Sequence, residues 1–264
     1  ATVAVSVTYA VGSRNERTDQ SGFAHLFEHM MFQGSRNVPK GEHFTLVSAR
    51  GGELNGTTSA DRTNYFEALP SSELPLALWL EADRMRWLAV TQENFENQRQ
   101  VVQEEFRMRV TNAPYRPALI TLQEQVFQGY WPYEHPTIGT MQTLDAAKLE
   151  WVQDFHTRYY APNNAVLTIV GNFDADDAAK LVHQYFDAIP AQPAVPALAL
   201  PALPAARTRE LVQEVTDNNA KTPAVLMGWR IPPALTPEHY ALELATVILT
   251  DGDSSVLHDS LVRQ

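Results

Sequence analysis

One stretch of the chain, residues 21–32, places two histidines and a glutamate inside an otherwise apolar segment. On a helix, the four-residue spacing of His25 and His29 puts both imidazoles on one side, with Glu28 close beside them. The apolar flanks are typical of a buried helix and argue against a His/Glu cluster that pairs only with itself on a solvated face. A buried unpaired carboxylate is costly, so something must satisfy these side chains. A divalent metal would do so, and His-x-x-Glu-His is the inverted zinc-hydrolase motif.

A metal held by two histidines needs a third protein ligand, with its fourth position left for water. A predicted helix over residues 92–110 carries four candidate carboxylates, Glu93, Glu96, Glu104 and Glu105. Glu104 and Glu105 lie about 100° apart around this helix, so only one of the two can face the metal. Geometry alone does not choose among the four. Without further information, consecutive glutamates in a helix are more commonly exposed surface carboxylates than metal ligands.

The composition excludes several classes of partner and site. The net charge is −11 and the pI is near 5.1, which argues against nucleic acid and anionic lipid as partners, since both need clustered Lys and Arg. The chain has no cysteine, so disulfides and thiolate zinc sites are excluded. No apolar run approaches the span of a bilayer, and no signal peptide is visible. The chain opens on a strand-like alternation, so we expect its natural N-terminus to lie upstream.

Periodicity and capping signals predict an α+β layered domain, in which helices cover a mostly antiparallel sheet. The predicted strands are residues 1–11, 53–58, 63–69 and 165–170, the middle two forming a hairpin or meander. The predicted helices are a motif helix capped by Ser21 and stopped by Gly34, residues 42–50, 71–88, 92–110, 117–127, 144–160 capped by Thr143, and one that starts at Asp174. His135, a lone loop histidine next to a proline, is interpreted as structural.

The composition changes at residue 190, where a Pro/Ala-rich segment over residues 190–207 is predicted to be an extended linker. Residues 1–189 would then form the catalytic domain, and residues 208–264 the beginning of a second domain. That second part is predicted to contain strands at 209–215 and 224–231 and a helix that Thr236 caps.

Seven blocks of the sequence resemble the M16 family of zinc peptidases, the pitrilysin, insulysin and mitochondrial processing peptidase group, in its short bacterial form. The blocks are GSRNE (12–16), GFAHLFEHMMFQG (22–34), GGELNGTTSADRTNY (51–65), NQRQVVQEE (97–105), PTIG (136–139), YYAPNNA (159–165) and IVGN (169–172). The resemblance implies the M16 and LuxS-like metallohydrolase fold and a zinc endopeptidase, and family analogy favours the periplasm over the cytoplasm.

The resemblance also implies residue roles. His25, His29 and Glu105 would hold Zn²⁺, and Glu28 would be the general base that activates a zinc-bound water. Asn55 and Gly56 match the Asn-Ala pair of the strand on which an extended peptide substrate binds, although a simple turn is an equally good interpretation of the two residues alone. Gln98 stands beside the metal ligands where some relatives carry a Glu, so a negative charge is missing there.

In this family a second, homologous half without the metal motif closes on the substrate. We therefore expect a second half, a partner subunit or a second copy of the chain to complete the chamber. Two alternatives share the fold. One is a non-catalytic peptide-binding or scaffolding subunit, in which the motif is usually eroded, and the other is a lyase acting on a small thioether, which relies on a cysteine that this chain lacks.

Overall fold

Alternating apolar and polar residues at the start of the chain form the centre of an antiparallel sheet. The computed structural model describes residues 1–193, 195 and 198–263. Its strands are β1 (Thr2–Tyr9), β2 (Glu53–Thr58), β3 (Thr63–Pro70) and β4 (Ala165–Gly171). They are ordered β2-β3-β1-β4, with every neighbouring pair antiparallel. β2 and β4 are therefore the edges of this sheet, and the predicted hairpin of β2 and β3 is confirmed.

The helices of the described residues are α1 (Phe23–Met30), α2 (Glu42–Ser48), α3 (Leu74–Trp87), α4 (Gln92–Phe106), α5 (Arg116–Val126), α6 (Trp131–Glu134), α7 (Met141–Ala146), α8 (Leu149–Tyr159), α9 (Ala175–Phe186), α10 (Pro237–Thr250) and α11 (Val256–Leu261). Of these, α1, α2 and α3 pack on one face of the sheet and enclose the core. Every second residue of β1, from Val3 to Tyr9, is buried on this face. The period of two therefore sets the core side of the sheet, and the predicted α+β class is confirmed.

The start of α1 differs from the prediction. Gly22, not Ser21, occupies the N-cap position, with φ of +88°, a left-handed conformation that favours glycine. A Cβ at Gly22 would meet the backbone of Ile138 at 2.5 Å. The helix also ends at Met30, before the predicted stop at Gly34. A close approach of two backbone segments, which no local pattern reveals, thus decides where α1 begins.

The single helix predicted over residues 144–160 is two helices, α7 and α8. Thr140, not Thr143, is the cap, and its Oγ1 accepts a hydrogen bond from the backbone N–H of Thr143 at 3.2 Å. The chain is extended at Ala147 and Lys148 before α8 begins. The predicted caps at Thr91 and Asp174 are confirmed.

The chain divides into two compact units. The first comprises residues 1–205 and 211–226 and contains the sheet and α1 to α9, and the second comprises residues 206–210 and 227–264. The predicted linker at 190–207 includes Ala194, Pro196 and Ala197, which lie outside the described residues, and the domain limits at 189 and 208 stay predictions. Across the described ranges, no helix combines the length and apolar character needed to cross a bilayer.

The later elements are confirmed only in part. The helix capped by Thr236 is confirmed as α10. The strands predicted at 209–215 and 224–231 are wrong, because these described residues pair with no strand, and Val212 and Val225 are exposed. Alternation alone does not make a strand, since a strand needs a neighbour to accept and donate its backbone hydrogen bonds.

A cluster of four buried ionisable side chains lies within the sheet and helix layers of the first unit. His43 Nε2 of α2 lies 3.5 Å from Glu67 Oε2 of β3, and Arg84 Nε of α3 donates to Glu81 Oε2 at 2.9 Å. Burial, opposed by the Arg84 charge, raises the pKa of Glu67 to about 7. Burial and the charge of Arg84 lower the pKa of His43 to about 3. His43 is therefore neutral near pH 7, while Glu67 titrates there.

This cluster makes stability depend on pH through Glu67. The pKa of Glu67 in the folded chain lies above its ordinary value of 4.5. The contribution of protonated Glu67 to the free energy of unfolding is therefore fully present below pH 4.5 and is lost as pH rises through 7. Glu67→Gln cannot ionise and escapes this loss. We expect its free energy of unfolding, relative to the parent, to rise by about 2 kcal/mol between pH 5 and pH 8. Denaturant titrations at the two pH values measure this, with the exposed Glu53→Gln as control. An equal difference at both pH values contradicts the prediction.

Candidate metal centre

Helix α1 lies between β2 and α4 and carries the two histidines of the motif on one side. Its apolar side chains Phe23, Leu26, Phe27 and Met30 are buried in the core. The rings of His25 and His29 meet edge to face, with centroids 4.8 Å apart and planes at 78°. The helix thus presents both imidazoles together, as their spacing predicts.

Helix α4 brings Glu105 to these imidazoles. Glu105 Oε2 lies 3.3 Å from His29 Nε2 and 3.8 Å from His25 Nε2. The neighbouring Glu104 faces elsewhere and pairs with Arg107 Nη1 at 2.9 Å. Among the carboxylates that sequence geometry left open, Glu105 is therefore the one that the fold places against the histidines.

The donor set of His25, His29 and Glu105 fits a tetrahedral zinc ion. One ligand atom from each side chain lies within 4.8 Å of the others. Zn–N and Zn–O bonds of about 2.0–2.2 Å in tetrahedral geometry put ligand atoms about 3.4 Å apart, close to the two distances to Glu105. Burial lowers the pKa of His25 to about 4, with the nearby His29 acting in the same direction. His25 is thus neutral near pH 7, as a metal ligand must be.

Glu105 is held from both sides of its carboxylate. Oε2 faces the imidazoles, while Arg109 Nη1 lies 3.1 Å from Oε1. Arg109 follows in the π-helical turn Arg107–Thr111 that continues α4. The hydrogen bond from His29 lowers the pKa of Glu105, so the carboxylate is ionised near pH 7.

Glu28 lies beside the two imidazoles on α1 and contacts β2. It is buried, and its Oε2 accepts a hydrogen bond from Thr58 Oγ1. Burial raises the pKa of Glu28, and the Thr58 hydrogen bond opposes this shift. A carboxylate with a raised pKa beside a metal-binding set has the character of a general base.

Asn55 and Gly56 lie in the edge strand β2, so the turn interpretation of these residues is wrong. The Asn55 side chain is exposed, and its Oδ1 accepts a hydrogen bond from the Gly56 N–H at 2.8 Å. Gly56 faces α1, where a Cβ would lie 3.1 Å from Glu28 Cγ and 3.1 Å from Phe32 Cε2. The strand therefore passes directly beside Glu28.

Two further residues discussed from the sequence, Gln98 and His135, are both buried in the first unit. Gln98 is buried on α4, and its Nε2 donates to Asn97 Oδ1 at 2.8 Å. His135 is buried, with Nε2 3.0 Å from Glu16 Oε2 and Nδ1 2.8 Å from the Trp131 carbonyl. The structural interpretation of His135 is therefore confirmed.

Three contacts of the centre were not predicted from the sequence. Glu16 accepts hydrogen bonds from the backbone N–H groups of Gly22 at 2.9 Å and Ala24 at 2.7 Å, and so anchors the start of α1. Thr58 contacts Glu28, and Arg109 contacts Glu105. The sequence spacing could have indicated the contacts of Thr58 and Arg109, because Thr58 shares a strand face with Gly56 and Arg109 follows Glu105 by one helical turn. No local spacing points to Glu16.

Two family models match the chain along most of its length. Residues 1–131 match the model described as Insulinase (Peptidase family M16), and residues 147–264 match the Peptidase M16 inactive domain. The chain belongs to peptidase family M16. An M16 relative, the zinc protease PqqE of Helicobacter pylori, is 31% identical over 260 residues, which cover 98% of this chain and 58% of the relative. The zinc protease Rv2782c of Mycobacterium tuberculosis is 33% identical over 182 residues, 69% of this chain and 41% of the relative.

Solved M16 structures share the fold. A protease from Helicobacter pylori superposes with a TM-score of 0.82 and 29% identity, covering 99% of this chain and 63% of that one. The periplasmic protease PqqL of Escherichia coli superposes with a TM-score of 0.70 at 23% identity, over 78% of this chain and 23% of that one, and this likeness concerns the fold alone. The chain spans about three fifths of the length of the Helicobacter pylori proteins that it matches.

The anchor at the start of α1 is testable through Glu16. Glu16→Ala leaves two backbone N–H groups and His135 without their buried acceptor, so we expect the free energy of unfolding to fall by about 3 kcal/mol. Glu16→Gln keeps one acceptor oxygen and should lose less. Chemical denaturation measures both variants against Asp19→Ala, which removes an exposed carboxylate that pairs with Arg17. If Glu16→Ala matches Asp19→Ala, the anchor is not important for stability.

Proposed function

We propose that this chain is the zinc-binding catalytic part of an M16 endopeptidase that hydrolyses peptide bonds in peptides or unfolded segments. The observation that carries the proposal is the convergence of His25 and His29 from α1 with Glu105 from α4. The buried Glu28 beside them supplies a base. Relatives named zinc protease support the same reading.

The residues that would hold zinc are His25, His29 and Glu105. When bound, zinc supplies Lewis acidity, which polarises a carbonyl and makes water a stronger acid. The three side chains are largely buried, with 15%, 22% and 17% exposure, respectively. A partly dry site of this kind strengthens electrostatic interactions without closing the path to a substrate.

Glu28 has the position and environment of the general base. In the proposed reaction it takes a proton from the attacking water, whose oxygen bonds to the carbonyl carbon, and returns that proton to the amine nitrogen as the C–N bond breaks. Its burial raises the pKa, which favours acceptance of the proton. Its closeness to β2 places it beside the strand on which a substrate is proposed to lie.

The edge strand β2 is proposed to receive the peptide. β2 is paired with β3 on one side only among the described strands, so its other side offers backbone groups for an added extended chain. Asn55 and Gly56 lie in this strand, and the absence of a side chain at Gly56 lets the strand approach Glu28 closely. Recognition through backbone groups would make the site tolerant of peptide sequence.

The chamber is proposed to be completed from outside the first unit. The relatives are longer than this chain, so a second homologous half is one source. A partner subunit or a second copy of the chain is the alternative source. Residues 1–189 are proposed as the catalytic domain and residues 208–264 as the beginning of a second domain without a metal motif.

Zinc content and peptide cleavage test the proposal together. We expect one zinc per chain in the parent, one zinc but a loss of cleavage of at least about 100-fold in Glu28→Gln, and loss of zinc in Glu105→Ala. Metal analysis and cleavage of an unfolded peptide measure these outcomes. Glu104→Ala is the matched control, because it removes the adjacent, exposed carboxylate and should keep zinc.

The contrary outcomes separate the alternatives. Equal zinc content in Glu105→Ala and Glu104→Ala would remove Glu105 from the proposed metal site. A parent that binds zinc and an extended peptide but cleaves none, even with the longer protein assembled, would favour a peptide-binding subunit of the same fold. A parent that binds no zinc overturns the proposal.

A further inference from the structure

A threonine hydroxyl on the edge strand β2 contacts the carboxylate of the proposed base. Thr58 Oγ1 donates a hydrogen bond to Glu28 Oε2. The two residues are 30 positions apart in the chain, and they join α1 to the last residue of β2. Glu28 has 9% exposure and Thr58 is half-buried, so the contact is largely shielded from solvent.

The position of Thr58 is fixed by the sheet. Thr58 is paired with Thr63 of β3, which is fully buried and whose Oγ1 donates to the Val11 carbonyl at 2.9 Å. Because side chains alternate along a strand, Thr58 shares the α1-facing side of β2 with Gly56, and Thr57 points the other way. Thr58 therefore offers its hydroxyl to Glu28 from a rigid element.

A glutamate needs such a support to act as a base. Its side chain has three rotatable bonds, so an unsupported carboxylate samples several positions. A misplacement of about 1 Å can cost about 100-fold in rate. The hydrogen bond to Oε2 holds one carboxylate oxygen, while Oε1 lies 3.3 Å from where a Cβ of Gly56 would be. One oxygen is thus held, and the other is directed along the strand on which the peptide is proposed to lie.

We propose that Thr58 is a positioning residue that holds the Glu28 carboxylate for proton transfer. The inference rests on the proposed role of Glu28 as general base. It differs from a purely structural role, in which the Thr58 methyl and hydroxyl only stabilise the end of the β2-β3 hairpin. If Thr58 is a positioning residue, removal of its hydroxyl affects the chemical step and leaves zinc and peptide binding unchanged.

The test compares two isosteric substitutions on adjacent residues of β2. Thr58→Val removes the hydroxyl that faces Glu28, and Thr57→Val removes one that faces away from α1 and contacts Arg62. We expect Thr58→Val to lower kcat by 10- to 100-fold with KM within about twofold of the parent and one zinc per chain. Thr57→Val should match the parent, and Thr58→Ser, which restores a hydroxyl, should recover most of kcat.

Two results would overturn the inference. One is a kcat of Thr58→Val equal to that of Thr57→Val. The other is a loss that Thr58→Ser does not restore, or one accompanied by loss of zinc, which indicates a structural role. A crystal structure of zinc-loaded Thr58→Val gives a readout that needs no activity: we expect the Glu28 carboxylate to leave its parental position, and an unmoved carboxylate contradicts the inference. A parent that binds no zinc contradicts the proposed zinc endopeptidase function, whereas the results above contradict the positioning role of Thr58, so the two outcomes are distinguishable.

Discussion

The burial of α1 between β2 and α4 is the constraint on which the candidate site depends. Because water is largely excluded from this helix, each of its polar side chains must find a partner on a neighbouring element. Glu105 of α4 faces the two imidazoles, and Thr58 of β2 donates a hydrogen bond to Glu28. The residues of one short motif thus bind the helix to two separate parts of the fold.

The same constraint acts at the first turn of α1. The helix has eight residues, too few to be stable by itself in water, so its direction is set by its contacts. The backbone N–H groups of Gly22 and Ala24 lie in the interior and donate hydrogen bonds to the buried carboxylate of Glu16, which also pairs with His135. The Trp131 ring stacks on His135 with centroids 3.8 Å apart. Through Glu16, His135 therefore helps to set the direction of α1 and so to direct His25 and His29 towards α4, although it lies far along the chain.

The sequence predicted the parts of this arrangement that local patterns determine. The spacing within the motif and its apolar flanks predicted α1, and two strand-like runs joined by residues 59–62 predicted β2 and β3 as a hairpin or meander. The choice of Glu105 over Glu104 required the family resemblance, because the face of α4 that meets α1 depends on tertiary packing. The cap at Ser21 was wrong for a similar reason, since Gly22 is held by a distant backbone segment. Strands at 209–215 and 224–231 failed because alternation does not supply a pairing partner.

Three buried carboxylates of the first unit, Glu28, Glu67 and Glu81, differ in their suitability for the proposed proton transfer. Burial raises the pKa of each. Glu81 is fully buried and paired with Arg84, and Glu67 has 1% exposure beside a neutral His43, so neither can meet a substrate. Glu28 keeps 9% exposure and lies beside the edge strand, with a hydroxyl holding one oxygen. A base needs both affinity for a proton and access to it, and of the three only Glu28 has both.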